Sequence, residues 1–411
     1  MDKLIGFPEL AWDRIFKRLM LEHEYGERQS KKKQWYTLIK IFLLPFFPRE
    51  SYFLDSKKSK ILFFLSYTER KNVKEGFLSV RNLVEADLIQ TNFGFSSFCF
   101  TKGVKLLFYY VPKWFPHTDI NGLNLSERLR MLEILIVLYR LNDFVKTIDL
   151  NYNILVTYYD SLERESYMVE YFRHLGLKTA SLQHGQFVGW RDNTFIDSGI
   201  EFNTFKSDYL LCWNQYTYDE ALKAGIEKEK LIITGMWTYL NKKRELCKKN
   251  RNGIFGIVIS HPSWHEENVK MVEAANMLSE QFNLSYYIKL HPFYKEDSFN
   301  SNINNHFKSN VEKSISVLDY ANMVDFTIVG SSSLFTELIY IGHDVYRFSS
   351  GKPNDKYNAV KIGKFFSTPE ELVSVYLKNQ NDNFSDQLFD YLCTIEDPTL
   401  EYKKFLNNFE K

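Results

Sequence analysis

The chain has 411 residues, enough for two or three domains. Its 45% apolar and 25% charged residues match an ordinary globular protein and exclude a disordered or fibrous chain. With 52 Lys plus Arg against 51 Asp plus Glu the net charge is +1, which speaks against a dedicated nucleic-acid binder. The unusual figure is aromatic content: 17%, with 35 Phe and 26 Tyr.

Residues 1–60 read as an N-terminal helical appendage. From Arg28 to Lys60 there are nine Lys or Arg against Glu50 and Asp55, a local net of +7, interleaved with Trp35, Tyr36, Ile39, Phe42 and several leucines. Such a segment can lie on an anionic membrane surface, which makes that surface a candidate partner. An ordinary packed helix with a solvated basic edge is the alternative. The longest apolar runs, Ile41–Phe47 and Ile134–Tyr139, fall far short of the ~20 residues a spanning helix needs. No secretory signal pattern opens the chain, and Cys99, Cys212, Cys247 and Cys393 form no C-x-x-C pair. A reduced, cytoplasmic setting is expected, peripheral to the membrane if the basic segment docks there.

From residue 61 strands and helices alternate. Ile61–Leu65, Lys105–Tyr110, Ile154–Tyr159, Thr179–Leu182, Tyr209–Cys212 and Leu231–Thr234 read as buried strands. Between them, one helix carries Met168, Val169, Phe172 and Leu175 and stops at Gly176; another, through Tyr218, Ala221 and Leu222, stops at Gly225. Asn241–Asn252 is polar and charged and reads as a linker. The alternation then restarts with strands at Ile254–Ile259, Ser285–Leu290, Phe326–Val329 and Val345–Phe348. Helices carry Met271, Ala274, Leu278 and Phe282, then Leu334, Leu338 and Ile341. Thr368-Pro369-Glu370-Glu371 is a helix start, with Thr as cap, Pro first and Glu three residues on. The expected organisation is the appendage, a doubly wound α/β domain over 61–245, a second over 253–380, and C-terminal helices over 381–411.

In parallel sheets ligands bind beyond the carboxyl ends of the strands, so polar residues just after strands carry the chemistry. Gln183-His184-Gly185 follows one strand: an imidazole titrating near neutrality can accept a proton, and glycine permits a tight turn. Ser260-His261-Pro262 and Leu290-His291-Pro292 follow two strands of the second domain, where proline fixes the exit of the chain. Imidazoles held there can meet the phosphates of a nucleotide. Gly330 with Ser331, Ser332 and Ser333 offers hydroxyls to an anion, and Glu337 can accept from ribose hydroxyls. Trp213 and Asn214 also follow a strand. Each has a structural alternative: a satisfied core histidine, a serine cap, a surface glutamate. His261 with His265 makes an H-x-x-x-H without a third ligand at clear spacing, so no metal site is expected. G-x-x-x-x-G-K-[ST], G-x-G-x-x-G, Asp-x-Asp and G-x-S-x-G are all absent.

In this order, Gln183-His184-Gly185, Lys289-Leu290-His291-Pro292, and Asp325–Ser332 ahead of Glu337 and Gly342 resemble the GT-B glycosyltransferases of bacterial surface polysaccharide synthesis. Capsule polysaccharide transferases and CDP-glycerol glycerophosphotransferases are among them. Bacterial sialyltransferases share the His-Pro and Ser-Ser pairs but also carry an acidic motif in the first domain that this chain lacks. The resemblance covers roughly residues 150–350. It implies two Rossmann-like domains in the GT-B arrangement and transfer of a sugar from a nucleotide-sugar donor to a growing surface glycan. That glycan, or a lipid-linked one, would be the acceptor, and no cofactor is implied beyond the activated donor. It further implies His184 as acceptor-side base and His291 as second catalytic residue, with Ser331, Ser332 and Ser333 holding the diphosphate. Glu337 would hold the ribose, His261 would contact the donor, and Gln183, Gly185, Trp213 and Asn214 would line the cleft. A CDP-polyol polyolphosphotransferase and a non-catalytic glycan-binding protein are the alternatives.

Overall fold

The computed structural model describes residues 31–47, 50–66, 71–93, 100–118, 125–160, 162–183, 205–240, 244–248, 252–351, 360, 362–379 and 386–410. Among them two open sheets form, each covered by helices on both faces, which is the GT-B-like pair of Rossmann-like domains.

The first sheet contains β1 (Glu50–Asp55), β2 (Ile61–Leu65), β3 (Asp87–Phe93), β4 (Ile154–Thr157), β5 (Lys178–Leu182), β6 (Tyr209–Cys212) and β7 (Leu231–Ile233), in the order β1-β3-β2-β4-β5-β6-β7. All neighbours run parallel except β1, which pairs antiparallel with β3. All five side chains of β2 are buried, because its two faces feed two different cores. Leu62 and Phe64 join the layer beneath the helices α1 (Lys31–Leu43) and α4 (Leu125–Val145). Ile61, Phe63 and Leu65 join the layer of the helix α2 (Lys71–Arg81). A strand buried on both faces reads as a continuous apolar run, which is why ILFFL is legible.

The second sheet is wholly parallel: β8 (Ile254–Val258), β9 (Ser285–Lys289), β10 (Phe307–Val311), β11 (Thr327–Val329), β12 (Val345–Phe348) and β13 (Lys364–Phe366), ordered β10-β9-β8-β11-β12-β13. Its helices are α7 (His265–Phe282), α8 (Val317–Ala321), α9 (Leu334–Tyr340) and α10 (Pro369–Lys378), after α5 (Glu163–His174) and α6 (Gln215–Lys223) of the first domain. At the start of α10, Thr368 accepts from the Glu371 amide at 3.2 Å while the Glu371 carboxylate reaches back to the Ser367 amide at 2.7 Å. The glycine stops also hold: Gly176 and Gly225 have φ of +74° and +90°.

Four expectations are revised. Lys105–Tyr110 is helical: α3 (Phe100–Lys105) continues through a π-helical turn, Leu106–Tyr110, into Val111–Trp114. Its buried residues Gly103, Leu106, Tyr110 and Trp114 repeat every three to four positions, so the apolar run is a helix stripe against α4. β1 lies inside the stretch read as appendage, a half-exposed edge strand that no apolar run announces. The described part of the linker is docked on the second domain, with the Cys247 amide on the Ile341 carbonyl (2.9 Å) and the Arg244 guanidinium 3.8 Å from the Phe389 ring centre. The C-terminal helices separate. α11 (Asp386–Leu392) stays with the second domain, whereas α12 (Pro398–Asn407) returns to the first, burying Tyr402, Phe405 and Leu406 in its core.

Gly256, in the middle of β8, meets the Tyr320 hydroxyl so closely that a Cβ would sit 2.1 Å from it. Gly256→Ala is expected to cost at least 1–3 kcal/mol in denaturant unfolding, the range for forcing atoms into a filled core.

Candidate functional site

In each sheet the strand order reverses at one place, and the crevice beyond that switch point is where open α/β sheets bind ligands. In the second sheet it lies between β8 and β11, with β9 on the other side of β8. Three neighbouring strand ends therefore deliver His291, then Ser260 and His261, then Gly330 and the three serines. The His261 and His291 rings stand edge to face with centres 5.1 Å apart, and exposed Phe293 packs against both at 5.5 and 5.3 Å. The Phe293 amide donates to His291 Nδ1 at 3.3 Å, which puts the proton of the neutral ring on Nε2. Across the switch point a small crevice is lined by Ser260, Asn268, Met271, Gly330 and Ser331 among others. The Asn268 carboxamide clamps Ser260 at both its amide and carbonyl, while the Ser260 hydroxyl is buried without a partner. A Cβ on Gly330 would come 3.2 Å from that hydroxyl and 3.1 Å from the Met271 sulfur, so glycine is what the approach permits.

Ser332 and Ser333 turn the chain from β11 into α9, and Glu337 lies in the first turn of that helix. Glu337 lines a larger opening whose walls come from both domains, Thr238 and Tyr239 of the first and Ser316–Leu318 and Tyr340 of the second, with Glu245 of the docked linker. Its carboxylate is within electrostatic reach of Lys289, two residues before His291. Burial pulls the Lys289 ammonium below the ordinary lysine range and Glu337 pushes back. Lys289 also donates to the Lys313 carbonyl at 3.0 Å. The second domain thus offers imidazole and hydroxyl donors on one edge, and the Glu337 carboxylate lines the other opening. That set suits an anionic ligand bearing hydroxyls.

On the first domain, His184 and Gly185 lie outside the described residues. Gln183 is fully buried: its Nε2 donates to Thr217 Oγ1 (3.0 Å), its Oε1 accepts from the Trp213 amide (2.6 Å), and its carbonyl accepts from Trp237 Nε1 (2.8 Å). Asn214 is also fully buried; it caps α6 through the Thr217 amide (2.8 Å) and donates to the Leu392 carbonyl (2.6 Å). Both side chains are spent on holding strand ends and domains together. Trp213 is buried against Trp237, with its indole N–H unpartnered.

Sequence reasoning passed over the polar groups at the first sheet's own switch point, between β2 and β4. Asp160 follows β4 and accepts from the Lys206 amide (2.9 Å) and from the Ser207 amide and hydroxyl (both 2.8 Å); burial nevertheless raises its pKa. Glu165 accepts from the Ser66 amide at 3.0 Å and from its hydroxyl at 2.5 and 2.7 Å. Burial pushes Glu165 up to about 7, with the Ser66 bonds pulling the other way. The rule applied to His184, a polar residue just after a strand, also selects Asp160.

A further hollow lies between α1, α4, β1 and α5; of its charges Arg130 pairs with Glu133 and Arg164 with Glu50, and Arg140 donates to the Leu44 and Pro45 carbonyls. Among the described residues no group of three or more His, Cys, Asp or Glu is placed to hold a metal ion. His265, the second half of the H-x-x-x-H, is bonded through Nδ1 to the Tyr294 hydroxyl at 3.2 Å.

No protein-family model matches the chain, and no curated protein matches its sequence. Solved structures do match its fold. The UDP-GlcNAc 2-epimerase of Methanocaldococcus jannaschii, solved with UDP-GlcNAc and UDP, superposes with a TM-score of 0.53 at 12% identity, over 85% of this chain and 99% of its own. The UDP-bound MnaA of S. aureus gives 0.51 at 10%, over 85% and 95%. These likenesses establish the GT-B-like pair of domains that the motif order implied.

Glu165 binds a proton in the folded state up to about pH 7 but only to the ordinary carboxyl range when unfolded, so stability falls as pH rises through that window. Glu165→Gln keeps an acceptor for Ser66 and removes the titration. Its unfolding free energy is expected to equal that of the parent near pH 5 and to exceed it by about 1–3 kcal/mol at pH 8, read by urea denaturation at both pH values.

Proposed function

We propose that this chain is an enzyme acting on a nucleotide sugar, and that its reaction is transfer of the sugar to a growing bacterial surface polysaccharide. The observation that carries the reading is the convergence of Ser260, His261, His291 and the Gly330–Ser333 turn on three neighbouring strand ends at a switch point. The fold neighbours solved with UDP or UDP-GlcNAc support a nucleotide-sugar ligand.

In this reading the donor's diphosphate rests on the carboxyl ends of β8, β9 and β11. His291 Nε2 and the hydroxyls of Ser331, Ser332 and Ser333 donate to its oxygens, with His261 beside them. Glu337 accepts from the ribose hydroxyls. His184 removes the proton of the acceptor hydroxyl as its oxygen bonds to the anomeric carbon. The bond from that carbon to the diphosphate breaks, and the nucleoside diphosphate leaves with charge that the donors on this edge offset. Closing of the two domains brings acceptor and donor into contact. The second reading is epimerisation at C2 of a UDP-sugar, favoured by the epimerase named above.

The purified chain should be offered a panel of nucleotide sugars and CDP-glycerol, with acceptor glycan, in deuterated water. Sugar transfer releases a nucleoside diphosphate. Polyol-phosphate transfer releases CMP, and epimerisation releases neither but exchanges the C2 hydrogen. Release of UDP, GDP or CDP is expected, and His291→Ala should lower kcat/KM by roughly 100-fold, the scale of losing one transition-state donor. A chain that binds no nucleotide and turns over none of the panel is not the enzyme proposed.

A further inference from the structure

α1 and α3 both lie on α4, and each buries only half of its apolar surface. α1 turns Thr37, Ile41 and Leu44 inward and leaves Ile39, Phe42 and Leu43 in solvent, with Phe42 58% exposed. The α3 segment turns Gly103, Leu106, Tyr110 and Trp114 inward and leaves Phe100, Phe108 and Tyr109 outside, with Phe108 71% exposed. The two segments are neighbours: a Cβ on Gly103 would strike the Phe46 ring at 2.4 Å, and that ring lies 6.3 Å from Phe100. Large aromatic side chains are therefore displayed side by side, where a soluble surface normally scatters them singly.

The two segments carry no acid of their own, although Lys40 pairs with Glu133 of α4 at 3.0 Å. Residues 31–47 and 100–118 together hold seven lysines and no aspartate or glutamate. Lys113 lies 3.6 Å above the exposed Tyr109 ring, so an ammonium stands directly beside it, and Lys105 lies 5.6 Å from the buried Tyr110 ring. Lys102 is paired across to Asp143 of α4 at 3.1 Å, on a side chain that stays largely exposed.

We propose that the outward faces of α1 and α3 form a docking surface for an anionic lipid bilayer. Phenylalanine and leucine would enter the headgroup boundary, tyrosine would stay at the interface, and lysines would meet lipid phosphates. A second copy of the chain fits less well, because two copies of this face would oppose lysine to lysine. Among the described residues no helix is long and apolar enough to cross a membrane, so the contact is an interfacial one. The proposal rests on this surface alone and not on the reaction proposed above.

The test is sedimentation of the full chain with phosphatidylcholine vesicles, with and without phosphatidylglycerol. Binding to the anionic vesicles is expected, weakening as salt is raised from about 0.1 M to about 1 M. The double variant Phe42→Ser with Phe108→Ser should weaken binding at least tenfold with an unchanged circular-dichroism spectrum and melting temperature, since both side chains are already in solvent. Replacing Lys105 and Lys113 by Gln should weaken it roughly fivefold for each charge. A chain that stays in the supernatant with anionic vesicles overturns the proposal. So does concentration-dependent dimerisation that the Phe variants abolish while vesicle binding is absent. Neither outcome touches nucleotide-sugar turnover.

Discussion

Strands that run parallel must all end on the same edge of their sheet, and that constraint organises this chain twice. In the second domain the register of β8 sets Val258 opposite both Lys289 of β9 and Val329 of β11. The residues that follow those three positions, His261, His291 and Gly330, consequently leave the sheet together although they are separated by up to about seventy positions of chain. Both faces of the sheet are sealed by helices, so its carboxyl edge is the place where polar chemistry can meet solvent. The strand order then selects one notch of that edge, between β8 and β11.

The two domains are held by contacts that use up polar groups which look functional in isolation. Tyr239, leaving the first domain, stacks on Tyr340 of the second with ring centres 3.6 Å apart. Asn214 reaches across to the carbonyl of Leu392, and the Gln215 amide donates to Thr394 at 2.8 Å. α12 then carries the chain back, its Tyr402 hydroxyl donating to the Gly235 carbonyl at 3.3 Å and the Phe409 carbonyl accepting from Asn153 at 2.9 Å. A chain that crosses between the domains twice couples them, and Tyr216 of α6 is itself buried in the second domain's core against Tyr391. Glu337 and Tyr239 line an opening at that junction.

The net charge of +1 is an average over unlike regions. Residues 31–47 and 100–118 of the first domain hold seven lysines and no acid of their own, while carboxylates such as Asp160 and Glu165 are buried at the strand ends. Part of the aromatic excess follows the same division. Much of it fills the cores, as in the parallel stack of Phe255 on Phe326 at 5.1 Å, and part of it faces outward on α1 and α3.

From residue order alone came the βαβ alternation, the glycine stops, the capping of α10 and the resemblance to GT-B enzymes, because each is written in local periodicity or in a few adjacent residues. The edge strands β1 and β10 escaped because their side chains are mostly exposed or half-buried and leave no apolar run, and β13 because it is only three residues long. Lys105–Tyr110 misled because a short apolar run has no period, and only packing against Tyr139 of α4 shows it to be a helix stripe. His261 and His291 could be picked as strand-end residues, but that their rings touch depends on β8 and β9 being neighbours. Gln183 and Asn214 could be picked in the same way, but whether an amide is free or consumed depends on partners 30 to 178 positions distant. What the sequence determined is therefore the kind of fold and the pool of polar residues at strand ends. Which of them meet and which are spent on structure is decided by long-range pairing, because hydrogen bonds and burial are satisfied in space and not along the chain.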